Sequence, residues 1–138
     1  MRRKLVCDKG STAIEFAILS PIYLMFLCGM IAYGIYLGAS HSVQQLASEA
    51  ARLSVAGLNE TERRERAVSY IAEHSQGYAF LDRSKLEVLV ADSPEDATRF
   101  VVNLKYDARH LPIWNLFDGL VLPPTTIERR STVRVGGL

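Results

Sequence analysis

The residues with the clearest chemical potential are Gly10, Ser11 and Glu15, which join a basic segment to an apolar run from Phe16 to about Ala39. A carboxylate beside such a run is costly, because insertion scales assign about 2.5–3.5 kcal/mol to a charge at the centre of a membrane helix. A cut after Gly10 would give Ser11 a free ammonium about one helical turn from Glu15. The two charges can then pair, within one chain or between neighbouring chains. Glycine suits such a cut, because it leaves extended backbone open to a protease.

A local interpretation of Glu15 stands beside this one. Thr12 and Glu15 have the spacing of a capping box, in which the Thr side chain caps the helix and the Glu side chain returns to the cap N–H. The two interpretations are compatible, since a processed chain would still begin its helix at this point.

The order of these residues resembles a known processing site. A basic leader, a glycine, four residues and the pair Glu15–Phe16 ahead of an apolar helix are similar to the processing site of type IV prepilins. The longer run from Gly10 to Pro21, GSTAIEFAILSP, resembles the TadE-like pseudopilins of the tight-adherence (Flp, type IVc) pilus. Residues 2–38 carry this resemblance, and the remainder is similar only in size and layout.

The resemblance implies a minor pseudopilin that is needed for biogenesis of an adhesive pilus. It implies cleavage between Gly10 and Ser11 by a prepilin peptidase, and assembly through Glu15 and Phe16. The implied partners are other pilin and pseudopilin subunits, the inner-membrane assembly platform and the lipid bilayer. Because the major pilins of such systems have almost no domain beyond the stem, a chain of 138 residues favours a minor component.

The apolar run is long enough to span a bilayer, since about 20 helical residues cross its hydrocarbon layer. A secretory signal peptide has an apolar core of only about 7–15 residues. Basic residues before the run predict a cytoplasmic N-terminus and a domain outside the cytoplasm. The resemblance implies that the chain crosses a bacterial inner membrane once and that its domain is periplasmic. The predicted divisions are a leader at 1–10, the membrane-spanning half of the helix at 11–39 and an extracytoplasmic domain at 40–138.

Gly34 and Gly38 form a GxxxG pattern within the apolar run, which lets two membrane helices approach closely. Glycine is also frequent in membrane helices for other reasons, so the pattern alone leaves helix packing open. Tyr33 and Tyr36 are predicted to lie in the aromatic belt at the outer membrane interface.

The helical period continues beyond the membrane and predicts one helix from about Ser11 to Ala56, with Gly57 as its C-cap. Asn59 is the predicted cap of a second helix, whose inner face would hold Val68, Ile71 and Ser75. Arginines and glutamates alternate along residues 60–66 of this helix and predict a solvated face. Alternation then predicts three antiparallel strands, at Lys85–Ala91, Thr98–Tyr106 and Ile127–Val135.

The predicted fold class follows from this order of elements. It is α+β, with a long N-terminal helix that spans the membrane in its first half and packs on a small antiparallel sheet, as in pilins.

A dense apolar insert, Leu111–Leu122, interrupts the strand pattern and contains Trp114 and Phe117. One interpretation is that it closes the end of a small core. The other is a docking surface for a partner subunit, since contiguous exposed apolar patches mark interaction sites. Flanking prolines hold the insert apart from the strand ladder, because proline has no N–H to donate.

Catalysis and nucleic-acid binding find little support in the sequence. Sixteen Lys and Arg residues balance fifteen Asp and Glu residues, so no basic field favours nucleic acid. The three histidines lack metal-ligand spacing, and the sequence has no phosphate-binding loop or nucleophile motif. We therefore predict no enzymatic activity, no metal and no cofactor.

Two other classes of function remain open at this stage. One is a single-pass signal-anchored protein that keeps its leader and whose outer domain is a binding module outside any filament. The other is a membrane-tethered enzyme, for which the sequence offers no visible site.

Overall fold

The first helix, α1, spans Asp8–Ser54 as one uninterrupted element of 47 residues. The computed structural model describes residues 8–115 and 122–135, with the backbone alone at residues 8–10 and 115. At 1.5 Å per residue, α1 is about 70 Å long, which is more than twice the hydrocarbon thickness of a bilayer. The prediction of a single long helix is confirmed, although α1 begins before Ser11 and ends before Ala56.

The end of α1 differs from the predicted glycine cap. The buried Ser54 hydroxyl donates to the Ala51 carbonyl at 2.6 Å, and the Gly57 N–H donates to the Ser54 carbonyl at 2.9 Å. A Cβ at Gly57 would lie only 2.7 Å from the backbone nitrogen of Arg63. Gly57 is therefore not the predicted cap, because its role is to leave room for the next helix.

That next helix, α2, spans Glu60–His74. The predicted cap is confirmed, since the Asn59 side chain accepts a hydrogen bond from the Glu62 N–H at 2.9 Å. Ala67 and Ile71 are buried, whereas Val68 is exposed. The inward orientation predicted for Val68 is wrong, because α2 packs through the small Ala67 side chain, one position away.

Three strands form one antiparallel sheet in the order β1-β2-β3, as the alternation predicts. Inward side chains face each other across the sheet, with Val90 opposite Val102 and Tyr106 opposite Ile127. The strands are β1 (Leu86–Asp92), β2 (Arg99–Asp107) and β3 (Thr126–Arg134).

The core lies between α1 and the inner face of the sheet, and α2 closes one side of it against α1 and β1. The prediction of an α+β fold, with a long helix on a small antiparallel sheet, is therefore confirmed. The largest fully buried side chains of the core are Tyr106, Phe100, Leu46, Ile71, Leu104 and Ile127.

Two arginines depart from the predicted alternation of buried and solvated residues. The Arg63 side chain is only 13% exposed, pairs with Asp92 at 3.0 Å and lies 5.9 Å from the centre of the Phe100 ring. Arg129 lies on β3 and donates to the Ser40 hydroxyl of α1. The prediction that α2 has a uniformly solvated face is wrong at Arg63, because the stem of an arginine can cover apolar surface while its guanidinium finds a polar partner.

Candidate functional site

The predicted cleavage site lies in the first turn of α1. The backbone from Gly10 to Ser11 is helical, so a protease that binds extended backbone must first unwind this turn. Glycine makes the unwinding easier, because it weakens a helix by about 0.8–1 kcal/mol relative to alanine. Since α1 already begins at Asp8, Thr12 lies within the helix and is not its cap. The capping-box interpretation is therefore wrong for the unprocessed chain.

The predicted assembly residues, Glu15 and Phe16, are exposed on α1. Ser11 and Glu15 are four residues apart, which places both on one face of the helix, about 6 Å apart along its axis. This spacing is compatible with an ion pair once Ser11 carries a free ammonium. The roles of these residues in processing and assembly stay predictions.

Nearly all side chains of α1 from Ser11 to Ile31 are exposed, and most of them are apolar. This part of α1 is long and apolar enough to cross a membrane, and the rest of the described chain does not cover it. Residues 11–31 extend for about 30 Å along the helix axis, which equals the hydrocarbon thickness of a bilayer. The helix therefore fits a single-pass membrane protein.

The two glycines of the GxxxG pattern have different surroundings. A Cβ at Gly34 would meet nothing within 4 Å, whereas a Cβ at Gly38 would lie 2.9 Å from the Phe80 ring. The close approach at Gly38 thus already accommodates a side chain of the same chain. Packing of a second helix on Gly34 and Gly38 stays a prediction.

The predicted aromatic belt requires both Tyr33 and Tyr36 to be exposed, and only Tyr33 is exposed. Tyr33 is 49% exposed, but Tyr36 is only 7% exposed. The Tyr36 hydroxyl donates to the Pro124 carbonyl at 3.1 Å, so the soluble domain covers this ring. The prediction fails at Tyr36 because the domain extends further along α1 than the sequence pattern showed.

The described part of the apolar insert packs on α1. Leu111 and Ile113 are buried, and the short 3-10 helix Pro112–Asn115 brings the half-buried Trp114 to Tyr36. The two rings meet edge to face with their centres 6.1 Å apart, and the indole N–H donates to the Ala108 carbonyl at 2.6 Å. Phe117 lies outside the described residues. Docking of a partner on Trp114 and Phe117 stays a prediction.

The stem, as we call α1, is also the part of the chain that resembles known proteins. Residues 10–52 match the model of the TadE-like protein family. The stem is therefore similar to that of TadE-like proteins. The match confirms the resemblance carried by Gly10–Pro21 and extends it along α1, and it ends before α2 and the sheet. Searches of curated proteins and of solved structures gave no significant match.

The stem also carries a polar cluster that the sequence pattern did not single out. The Glu49 carboxylate accepts hydrogen bonds from the hydroxyls of Tyr70 and Tyr78, the latter at 3.0 Å. The Tyr70 ring also stacks on His74, with the ring centres 4.2 Å apart. These contacts tie the stem to α2 and to the loop after it. The sequence pattern gave no sign of this cluster, because the partners of Glu49 are distant in the chain.

Hydrogen bonds and burial shift the pKa values of Glu49, Tyr70 and Tyr78. The Tyr70 hydroxyl, followed by the Tyr78 hydroxyl, holds the pKa of the Glu49 carboxyl below its ordinary value. The same bond to Glu49 raises the pKa of Tyr70, and burial raises the pKa of Tyr78. The cluster is therefore bound most tightly with Glu49 ionised and both tyrosines protonated.

We expect Glu49 to make the stability of the domain depend on acid pH. Because its pKa is lowered in the folded chain, its contribution is complete above the ordinary carboxyl pKa of about 4.3 and is lost as pH falls through the lowered value. Denaturant midpoints of wild type and Glu49→Gln should differ most at neutral pH and converge in acid. Glu65→Gln, at an exposed position of α2, serves as the control. A difference that stays constant across this pH range contradicts the prediction.

Proposed function

We propose that this chain is a minor pseudopilin, matured by a prepilin peptidase, that takes part in building a tight-adherence pilus. The TadE-like family implies a role in that pilus system. The observation that supports the finer assignment is the continuity of α1. Its exposed apolar half, residues 11–31, runs without a break into a half that forms the core of a folded domain.

This continuity gives the stem two environments in sequence. In the membrane, lipid covers the apolar half, and basic residues before Gly10 keep the leader in the cytoplasm of the inner-membrane-anchored chain. In an assembly, the stems of other pilin and pseudopilin subunits replace lipid around the same surface. The folded domain then moves with the stem as one body, because α1 is part of its core.

Cleavage after Gly10 supplies the charge that assembly uses. The new Ser11 ammonium lies about one turn from Glu15 and can pair with the Glu15 of its own or a neighbouring chain. In a medium of low dielectric constant such a pair is strongly favoured over two separate charges. Phe16 adds an exposed apolar contact next to the pair.

The proposed role is structural, as for TadE-like pilus proteins in general. Across residues 8–115 and 122–135, no group of three or more histidine, cysteine, aspartate or glutamate side chains could hold a metal ion.

The mature N-terminus tests the proposal directly. In cells that contain the prepilin peptidase, we expect intact-mass analysis of membrane-extracted protein to find a chain that begins at Ser11. Gly10→Leu should accumulate uncut, because a bulky side chain crowds the scissile backbone, whereas Gly77→Leu should be processed normally. A wild-type chain that still begins at Met1 contradicts the proposal and favours the signal-anchored binding module.

A further inference from the structure

The contact between α1 and the soluble domain begins close to the membrane. Ala32 is the first fully covered side chain of α1, after the exposed residues 11–31. If the hydrocarbon layer takes up about 20 helical residues, those from Ser11 onward end at Met30, next to Ala32. The domain is therefore left without a linker that could lift it away from the bilayer surface.

The position of Glu15 indicates that the hydrocarbon segment of α1 ends even further along the helix, within the part that the domain covers. A carboxylate is least costly in the headgroup layer, so the hydrocarbon segment is expected to start near Phe16. About 20 residues from there reach Ile35, which already packs against the core. Tilting of α1 would increase the number of residues needed to cross, and so would draw the domain closer still.

At this level of the stem the domain presents aromatic rings on two sides. Trp114 lies half-buried against Tyr36, and the Phe80 ring, 52% exposed, lies against Gly38. Positions 36 and 38 are separated by about 200° around the helix, so these rings flank the stem on different sides. Tyr33, which is 49% exposed, adds a third ring at the same end.

The backbone holds Phe80 outward in an unusual conformation. Its φ of 61° lies in the left-handed region, which bulky residues rarely adopt. The Tyr106 hydroxyl donates to the Phe80 carbonyl and accepts from the Asp82 N–H, both at 3.1 Å, and Ser42 donates to the Ala79 carbonyl at 2.8 Å. The loop thus fixes the Phe80 ring beside Gly38 of α1 with about half of its surface exposed, which is unfavourable in water.

We infer that Tyr33, Phe80 and Trp114 form a lipid-contact surface that enters the headgroup layer of the membrane spanned by α1. Tyr33 and Trp114 are of the residue types enriched in this layer, and the half-exposed Phe80 ring adds apolar surface that lipid can cover. The occupant is lipid because the surface is continuous with the exposed apolar half of α1. The inference rests on the membrane anchoring in the proposed function, but it requires neither cleavage nor a pilus.

The native chain contains its own reporter, because Trp114 is its single tryptophan. The full chain is reconstituted at a low protein-to-lipid ratio into phosphatidylcholine vesicles brominated at shallow or deep positions of the acyl chain. We expect shallow bromines to quench Trp114 fluorescence strongly and deep bromines to quench it less. Equal fluorescence in brominated and plain vesicles overturns the inference.

Two variants extend the test to other positions. Phe80→Trp in a Trp114→Phe background should also be quenched by shallow bromines. Leu58→Trp in the same background should not be quenched, since Leu58 is 91% exposed and lies beyond the far end of α1. Equal quenching at Leu58 and at Phe80 overturns the inference, because it indicates a domain lying flat on the membrane.

The remaining outcomes separate this inference from the proposed function. A chain that resists alkaline extraction from the vesicles while Trp114 stays unquenched overturns the lipid contact and leaves the anchored pseudopilin intact. A chain that is extracted overturns both. Trp114 fluorescence that ignores bromine but shifts to shorter wavelength as protein density rises indicates a second copy of the chain on this surface, and overturns the lipid contact.

Discussion

Phe100→Ala is expected to lower the free energy of unfolding by about 3–5 kcal/mol, the range for removing a buried aromatic ring. The Phe100 side chain is fully buried on β2, and the Arg63 guanidinium lies over its ring. A small domain has a free energy of unfolding of about 5–15 kcal/mol, so this substitution would remove a large part of its stability. Removal of the ring also exposes the apolar side of Arg63, which adds to the effect.

The same substitution at other aromatic positions provides matched controls. Phe80→Ala removes an identical ring from a largely exposed position and should change stability little, and Trp114→Ala should lie between the two. Denaturant unfolding of the full chain in detergent micelles, followed by susceptibility to a brief protease pulse, measures all three. If Phe80→Ala lowered the free energy of unfolding as much as Phe100→Ala, the difference in burial between the two rings would be contradicted.

The fold was predictable because its signals are local. A helical period, an asparagine before an acidic first turn and three alternating segments each depend on neighbouring residues. Asn59 caps α2 and the three strands pair in chain order, as these patterns predict. The loop at Gly57 was less predictable, because the need for glycine comes from the approach of Arg63 rather than from the local backbone.

The position of the domain along α1 could not be derived from the same patterns. Periodicity shows which face of a helix is covered but does not show where along the helix a partner begins. The packed region begins at Ala32, within the segment predicted to span the membrane, and this explains why Tyr36 is buried. Arg63 illustrates a related limit, since a charged residue on a polar stripe gives no sign of a distant partner such as Asp92.

The candidate site also has one part that the sequence identifies and one part that only the fold brings together. Gly10, Ser11 and Glu15 form a contiguous motif, so the sequence alone singles them out. Glu49 and its tyrosine partners are brought together only by folding, since Glu49 and Tyr70 are 21 positions apart in the chain. No pattern of period or spacing connects them before the fold is known.

Glu15→Ala is expected to leave cleavage after Gly10 intact and to abolish or strongly reduce incorporation of the chain into pili. Glu15 is exposed near the start of the apolar part of α1. Its carboxylate is available to an ammonium at Ser11 or to another chain. Loss of the carboxylate leaves that ammonium in an apolar environment with no counter-charge, which is unfavourable.

A loss of pili in Glu15→Ala can be separated from an effect of the substitution on membrane insertion and from an effect on helix stability. Replacing a charge with alanine favours membrane insertion, by up to about 2.5–3.5 kcal/mol at the helix centre. A defect in pili can therefore not be attributed to a chain that fails to enter the membrane. If Glu15 only stabilised the end of the helix, Glu15→Ala would lower helix stability by about 0.5–2 kcal/mol. Such a loss would be confined to the first turns of α1, because the domain core fixes the rest of the helix.

Glu15→Asp and Glu15→Gln complete the design. Aspartate keeps the charge on a shorter side chain and should restore part of the assembly, whereas glutamine keeps the shape without the charge and should behave like alanine. Intact-mass analysis confirms the cut at Ser11 in each variant, and counts of pili and of cross-linked subunits measure incorporation. Normal numbers of pili with Glu15→Ala would rule out the ion pair, and assembly by Glu15→Gln would show that the shape of the side chain matters rather than its charge.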